Sequence, residues 1–305
     1  DVYYTYACEN CEKNDVSTPI MKAPKEPSVI PGSFASAQAI AHIMTQKFVM
    51  ASPLYRQEQE WARQGLKLSR QTMSNWVLRA AEDHLLPVYE ELRRQLVKRE
   101  VLHADETTLQ VLHEPGKRAQ TKSYMWLYRT GRDDGPPIVL YEYQPSRKAE
   151  HAEKFLEGFS GYLHADGYQG YHKLPGNIRV AGCWAHARRK FDEALNALPP
   201  DKREGTAALT ELDYCNKLFA WEERFKDLSP EERTKQRLKE EKPILDALLA
   251  WANSVSAAPK SALGKALHYL KEQWPYLIRY LEDGRLELSN NRAERSIKPF
   301  VIGRK

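Results

Sequence analysis

The spacing of apolar residues along this chain of 305 residues changes several times, and each change predicts a different kind of structure. Residues 17–35 hold Pro19, Pro24, Pro27 and Pro31, then Gly32. That density forbids helix and predicts an extended linker. Over residues 36–99 the period becomes helical, with Ala39, Ile40, Ile43 and Met44 gathered on one face. A second helix is expected over Leu54–Gln64. Gly65 ends it, and Ser69 is a natural N-cap for a third helix. Helix, Gly-containing turn and capped polar helix is the layout of a helix-turn-helix. Its Arg70, Gln71, Ser74 and Asn75 are candidates for reading DNA, and they equally suit the polar face of an ordinary bundle. A further helix over roughly 80–99 leads onward.

Residues 100–198 read differently. Strand-like runs cover Val101–Leu112, Tyr124–Thr130 and Ile138–Tyr143, with a turn at Asp133-Asp134-Gly135. A helix over His151–Phe159, strands over Tyr162–Asp166 and Ile178–Cys183, and a helix over Ala185–Leu198 follow. The order β-β-β-α-β-α-β-α predicts an α/β unit, a mixed sheet flanked by helices. Residues 199–285 return to helical spacing. Ser229-Pro230-Glu231-Glu232 is a strong helix start, and the stripes Ile244/Leu248/Trp251/Val255 and Leu263/Leu267/Leu270/Trp274 read as core. In 286–305, Leu288–Lys298 reads as one more helix, stopped by Pro299.

Composition narrows the class. Hydrophobic residues are 42% and charged residues 29%, a globular balance, and the length suffices for two or three domains. The net charge of +5 accommodates a polyanionic partner and equally suits an unremarkable basic enzyme. No run of about 18 apolar residues and no signal-peptide pattern is visible, so no membrane partner is expected and a cytoplasmic setting is the default. Four cysteines do not make a disulfide scaffold. The chain starts with Asp1 rather than Met and ends abruptly after Pro299-Phe300-Val301-Ile302-Gly303-Arg304-Lys305, so a fragment of a longer protein is expected. In residues 1–16, Cys8 and Cys11 form C-x-x-C, which is half of a structural zinc site or an incidental pair.

The strongest chemical signal is a repeat. Leu-His-Ala-Asp occurs at Leu102–Asp105 and again at Leu163–Asp166, each time at a strand. If the two strands are neighbours, both carboxylates face one point. Their repulsion is relieved by a divalent cation, and hard oxygen ligands suit Mg²⁺ or Mn²⁺. The alternative is two unrelated surface aspartates. Glu294 on the last helix is the candidate third acid, with Glu287 and Glu106 as rivals; its plain reading is an i, i+4 pair with Lys298. Cys183 and His186 have zinc-ligand spacing, C-x-x-H, without an evident partner pair.

The strings NNRAERSIKPFVIGRK, HADETTLQVL, HADGYQGY and GCWAHARRKF closely resemble transposases of the insertion sequence 66 family, over nearly the whole chain. The resemblance implies a DDE enzyme with a ribonuclease-H-like catalytic domain. Asp105, Asp166 and Glu294 would be its three acids, holding two Mg²⁺ (or Mn²⁺) ions for DNA cleavage and strand transfer. The helical stretch 199–285 would be an insertion before the acidic helix. The family's N-terminal zinc segment implies Cys8 and Cys11 as zinc ligands in the full-length parent. C-x-x-H pairs follow the second acid in several DDE groups, which implies a structural or positioning role for Cys183 and His186. Arg188, Arg189, Lys190, Arg292, Arg295 and Lys298, with Arg304 and Lys305, would form a basic rim for phosphate contact. The implied partners are double-stranded DNA at element ends and target, further copies of the chain in a synaptic complex, and accessory proteins of the element. The implied setting is the bacterial nucleoid. Two alternatives stand beside this: a nuclease that cuts without joining, and a catalytically silent DNA-binding remnant of a mobile element.

Overall fold

The computed structural model describes residues 4–14, 17–23, 27–133 and 135–303, in two units, Asp1–Pro87 and Val88–Lys305. Pro24, Asp134, Arg304 and Lys305 lie outside the described residues.

In the first unit, β1 (Thr5–Ala7) and β2 (Ile20–Lys22) pair antiparallel around the short helix α1 (Glu9–Lys13). Then come α2 (Ala37–Phe48), α3 (Leu54–Arg63) and α4 (Arg70–Ala80). Ser36 and Ser69 cap α2 and α4, their hydroxyls accepting the Ala39 and Thr72 amides at 3.1 Å each. Gly65 closes α3 at φ +84°, a left-handed conformation that costs an L side chain and not glycine. Ile40, Ile43, Leu68, Met73, Trp76 and Val77 bury a common core. A π-helical turn, Ala81–Leu85, continues into α5 (Leu86–Leu96).

The second unit is built on five strands: β3 (Val101–Gln110), β4 (Lys122–Thr130), β5 (Val139–Gln144), β6 (Gly161–His164) and β7 (Ile178–Ala181). They lie side by side in the order β5-β4-β3-β6-β7. β3, β4 and β5 run antiparallel to one another, and β3, β6 and β7 run parallel. Helix α6 (Ala149–Phe155) joins β5 to β6, and α7 (Trp184–Asn196) follows β7. The expected helix between β6 and β7 is absent. A single 3₁₀ turn, Tyr171–Lys173, stands there, bracketed by Gly167, Gly170 and Pro175. Helices α8 (Ala207–Arg224), α9 (Pro230–Gln236), α10 (Lys242–Ser254) and α11 (Ala262–Leu277) come next, then α12 (Asn291–Gly303).

Period-two alternation gives the sheet two apolar faces. Leu102, Ala104, Leu163 and Ala165 point to one, with Leu96, Phe155 and Tyr171. Val101 and Tyr162 point to the other, with Trp184, Leu212 and Leu270 from α7, α8 and α11. Pro299, expected from sequence to stop the last helix, does not; α12 runs through it to Gly303. The ring sits on the exposed side, so only one backbone hydrogen bond is lost. Phe300 and Val301 beyond it pack toward Tyr141 and hold the helix on. Among the described residues, no helix is long and apolar enough to cross a membrane.

Candidate active site

The two Leu-His-Ala-Asp copies fall on neighbouring parallel strands in matching register. Leu102 pairs with Leu163 and His103 with His164. Carried two residues on, that register sets Asp105 beside Asp166. Since Leu102 and Ala104 face the α6 side, His103 and Asp105 face the other side, as do His164 and Asp166. Burial is the main cause that pushes the Asp105 carboxyl up to about 8, with the negative charges of Glu106, Asp166 and Glu294 adding to it. Asp166 accepts the Tyr168 amide at 2.9 Å, which closes the turn behind it. Gly167 leaves room for Tyr269 there: a Cβ would lie 2.7 Å from its hydroxyl, so any larger residue would displace that ring.

Glu294 reaches this face on α12. Ala293 and Ile297 pack on Leu127, and Leu127 is the register partner of Asp105 on β4. The approach to α12 is tied down residue by residue. His164 Nε2 lies 2.7 Å from the Glu287 carbonyl, and the Trp184 amide donates to the Leu288 carbonyl at 3.0 Å. Asn290, 1% exposed, makes three bonds beyond its own helix. Its Oδ1 lies 2.9 Å from His103 Nδ1, its Nδ2 donates to the Ala104 carbonyl at 2.8 Å, and its amide donates to Cys183 Sγ at 3.1 Å. The His103 and His164 rings stack at 5.0 Å. Burial, then His164, pulls His103 down to about 3, so it stays neutral. Sequence reading singled out the aspartates and passed over His103, His164 and Asn290. The signal was present in part: the repeated motif repeats its histidine too.

The rival third acids are occupied. Glu106 points to the opposite face, where Tyr171 donates to it at 2.6 Å and Arg147 Nε at 2.7 Å. Glu287 takes Arg292 Nε at 3.0 and 3.1 Å, and burial, which would raise its pKa, is outweighed by the Arg292 guanidinium, so it falls below the usual range. Arg292 is therefore committed to Glu287 rather than standing free at a basic rim. Arg189, Lys190, Arg295 and Lys298 are exposed, and Arg188 is half-buried with Nε 3.3 Å from Asn216 Oδ1. Arg147, stacked 4.0 Å over the Tyr168 ring, had no marker in the sequence.

Two observations bear on whether a cation suits the acids. The nearest guanidiniums stand off: Arg147 is 3.8 Å from Asp166 and Arg189 is 3.8 Å from Glu294, beyond hydrogen-bond length. Glu294 Oε1 is buried with no hydrogen-bond partner. The set Asp105, Asp166 and Glu294 thus offers oxygen donors whose ion pairs are long, which fits a hard divalent ion.

The C-x-x-H pair gains the third group that the sequence did not show. Cys183, His186 and Glu294 each offer a ligand atom within 4.8 Å of the others. Cys8 and Cys11 sit at the start of α1, and among the described residues no further ligand completes a cluster with them. On α4, Arg70, Gln71 and Asn75 are exposed and Ser74 is half-buried; Gln71 donates to Asn75 Oδ1 at 3.0 Å.

Residues 32–305 match the family model described as Transposase IS66 family. Among curated proteins, the uncharacterized proteins y4jD and y4hP of Sinorhizobium fredii (strain NBRC 101917 / NGR234) are 33% and 30% identical, each over 98% of this chain. The chain spans 59% and 56% of their respective lengths. Among solved structures, the Drosophila P element transposase strand transfer complex aligns with a TM-score of 0.47 at 12% identity, over 87% of this chain and 86% of that one. The family model covers most of the chain, and the chain belongs to the IS66 family of transposases.

Proposed function

We propose that this chain is the catalytic part of a DDE transposase with a ribonuclease-H-like sheet, cutting DNA at element ends and joining the freed 3′-hydroxyl to target DNA. The observation that carries the reading is the convergence of Asp105, Asp166 and Glu294 on one face of the sheet, with Asp105 under the negative charge of the other two. The strand order β5-β4-β3-β6-β7, with acids on the central pair β3 and β6, supports it. Membership of a transposase family supports it as well.

Asp105, Asp166 and Glu294 would hold two Mg²⁺ or Mn²⁺ ions. Bound there, such ions activate a water or hydroxyl and neutralise charge on the phosphate undergoing displacement. The chain's own residues do the positioning. His103, His164 and Asn290, neutral and buried, fix the distance between β3, β6 and α12. Arg147 and Tyr171 hold Glu106 on the far face, so it does not enter the donor set. Arg189, Lys190, Arg295 and Lys298, exposed on α7 and α12, contact backbone phosphates and place the strand, an interaction that weakens with salt. In the other unit, α4 offers Arg70, Gln71, Ser74 and Asn75 to the element end. Assembly with further copies and element-encoded proteins belongs to the same reading.

The test is cleavage of a labelled duplex bearing the element's ends, with Mg²⁺ or Mn²⁺, by this chain and by Asp166→Asn. Cleavage by the first and not the second, with DNA binding retained by both, is the expected result. Joined products separate a transposase from a nuclease that only cuts. Binding without cleavage by the unaltered chain rejects the catalytic reading and leaves a DNA-binding remnant.

A further inference from the structure

We infer a second kind of metal site in this chain: one thiophilic divalent ion of the Zn²⁺ class, held by the Cys183 thiolate, the His186 imidazole and the Glu294 carboxylate. Three separate features converge on it. Cys183 is the N-cap of α7 and His186 lies in its first turn, so one helix end presents sulfur and nitrogen together. The Asn290 amide donates to Cys183 Sγ at 3.1 Å, which draws the start of α12, and Glu294 with it, to the same point. The facing atoms are unused. His186 Nδ1 and Glu294 Oε1 are both buried without a hydrogen-bond partner, 3.7 Å apart.

The distances suit a small tetrahedral ion. Bonds of about 2.0–2.3 Å to sulfur, nitrogen and oxygen set ligand-to-ligand edges of roughly 3.3–3.6 Å. The His186–Glu294 edge is already 3.7 Å, and the sulfur lies within 4.8 Å of both. Arg189 lies 3.8 Å from Glu294 Oε2, and no hydrogen bond engages Oε1. Sulfur excludes Mg²⁺ and selects a softer ion, so this site differs in kind from the one proposed for the aspartates. Three protein ligands leave a fourth position open, the arrangement of a zinc centre that takes water or a ligand oxygen. Glu294 is common to both sites.

Binding is tested without any DNA reaction. In a Cys8→Ser/Cys11→Ser background, which removes the other cysteine pair, Co²⁺ is titrated and its absorption recorded. One equivalent should produce a sulfur-to-cobalt charge-transfer band, and Zn²⁺ should displace it. Cys183→Ser should abolish the band. Glu294→Gln and His186→Asn should keep it while weakening Co²⁺ binding about tenfold or more. No band in the background protein, or a band that survives Cys183→Ser, overturns the site. Unchanged affinity in both Glu294→Gln and His186→Asn overturns the ligand set, and those two variants carry the test should Cys183→Ser fail to fold.

Discussion

Asp105 and Glu222 are acids of the same unit, one on the sheet and one on α8, and their surroundings differ in kind. Around Asp105 the nearby groups are mostly other acids, and the guanidiniums closest to its partners stand at 3.8 Å. Glu222 is clasped by a fully buried arginine. Arg237 donates through Nε and Nη2 to its two oxygens at 2.7 Å each, and its remaining donors go to the carbonyls of Tyr280, Asp283 and Leu286. A bidentate pair with every donor used holds structure together. A group of acids with only long ion pairs is the arrangement expected of a site that binds a cation. The two regions are also linked. Arg237, with Arg233 on the Gly284 carbonyl at 2.9 Å, fixes the turn that leads into Glu287–Asn290 and so to Glu294.

The largest expected effect breaks the comparison on the sheet side. Asp105→Asn should lower metal-dependent cleavage by about three orders of magnitude or more, an effect assigned to lost charge stabilisation. Its urea midpoint should stay or rise, because the substitution removes a carboxyl whose charge is penalised by burial and then by its acidic neighbours. Arg237→Ala should do the reverse, costing about 3–5 kcal/mol in urea unfolding because it removes a fully buried guanidinium and leaves half-buried Glu222 and the carbonyls of Tyr280, Asp283 and Leu286 without their donor. If Asp105→Asn unfolds the protein, the sheet acids are structural and the contrast collapses.

A smaller effect sharpens the contrast through pH. Glu211 on α8 is buried, which raises its carboxyl to about 7 from 4.5, against the opposing bond from the Cys215 thiol at 3.0 Å. The folded protein therefore keeps a proton that the unfolded chain loses. Its contribution is present in full below about pH 4.5 and is lost as pH rises through about 7, on the order of 3 kcal/mol. Glu211→Gln should flatten the decline of stability over that range. An unchanged slope would mean that Glu211 does not hold its proton in the folded state.

The legible parts of this molecule are those whose signal is local. Alternation placed the strands, Ser69 and Ser229 announced helix starts, and both caps form, the second with Glu232 as a full capping box. The doubled motif placed its leucines and histidines at matching register, just ahead of Asp105 and Asp166. What sequence could not give depends on contacts between distant segments. Arg147 is one arginine among many until the loop after β5 folds back to Glu106. Arg292 resembles any other member of a basic face until Glu287 takes it. Cys183 and His186 acquire Glu294 only because α12 packs on β4.

Asn290 is the sharpest case, and it supports the smallest prediction. In the sequence it is one of two adjacent asparagines before a helix, which reads as a cap. In the fold it is the tie between strand β3, Cys183 and α12. Asn290→Ala removes the two side-chain bonds and keeps the backbone bond to Cys183 Sγ, so it should cost about 1–2 kcal/mol of stability. DNA affinity should be unchanged, since the side chain is buried. Cleavage should fall about tenfold, because the catalytic cost of a displaced group exceeds the cost of the bonds that placed it. A loss of stability with full cleavage would show that α12 is positioned by Ala293 and Ile297 on Leu127 alone. A loss of cleavage at full DNA affinity would show that the histidine of the repeated motif serves the third acid through Asn290.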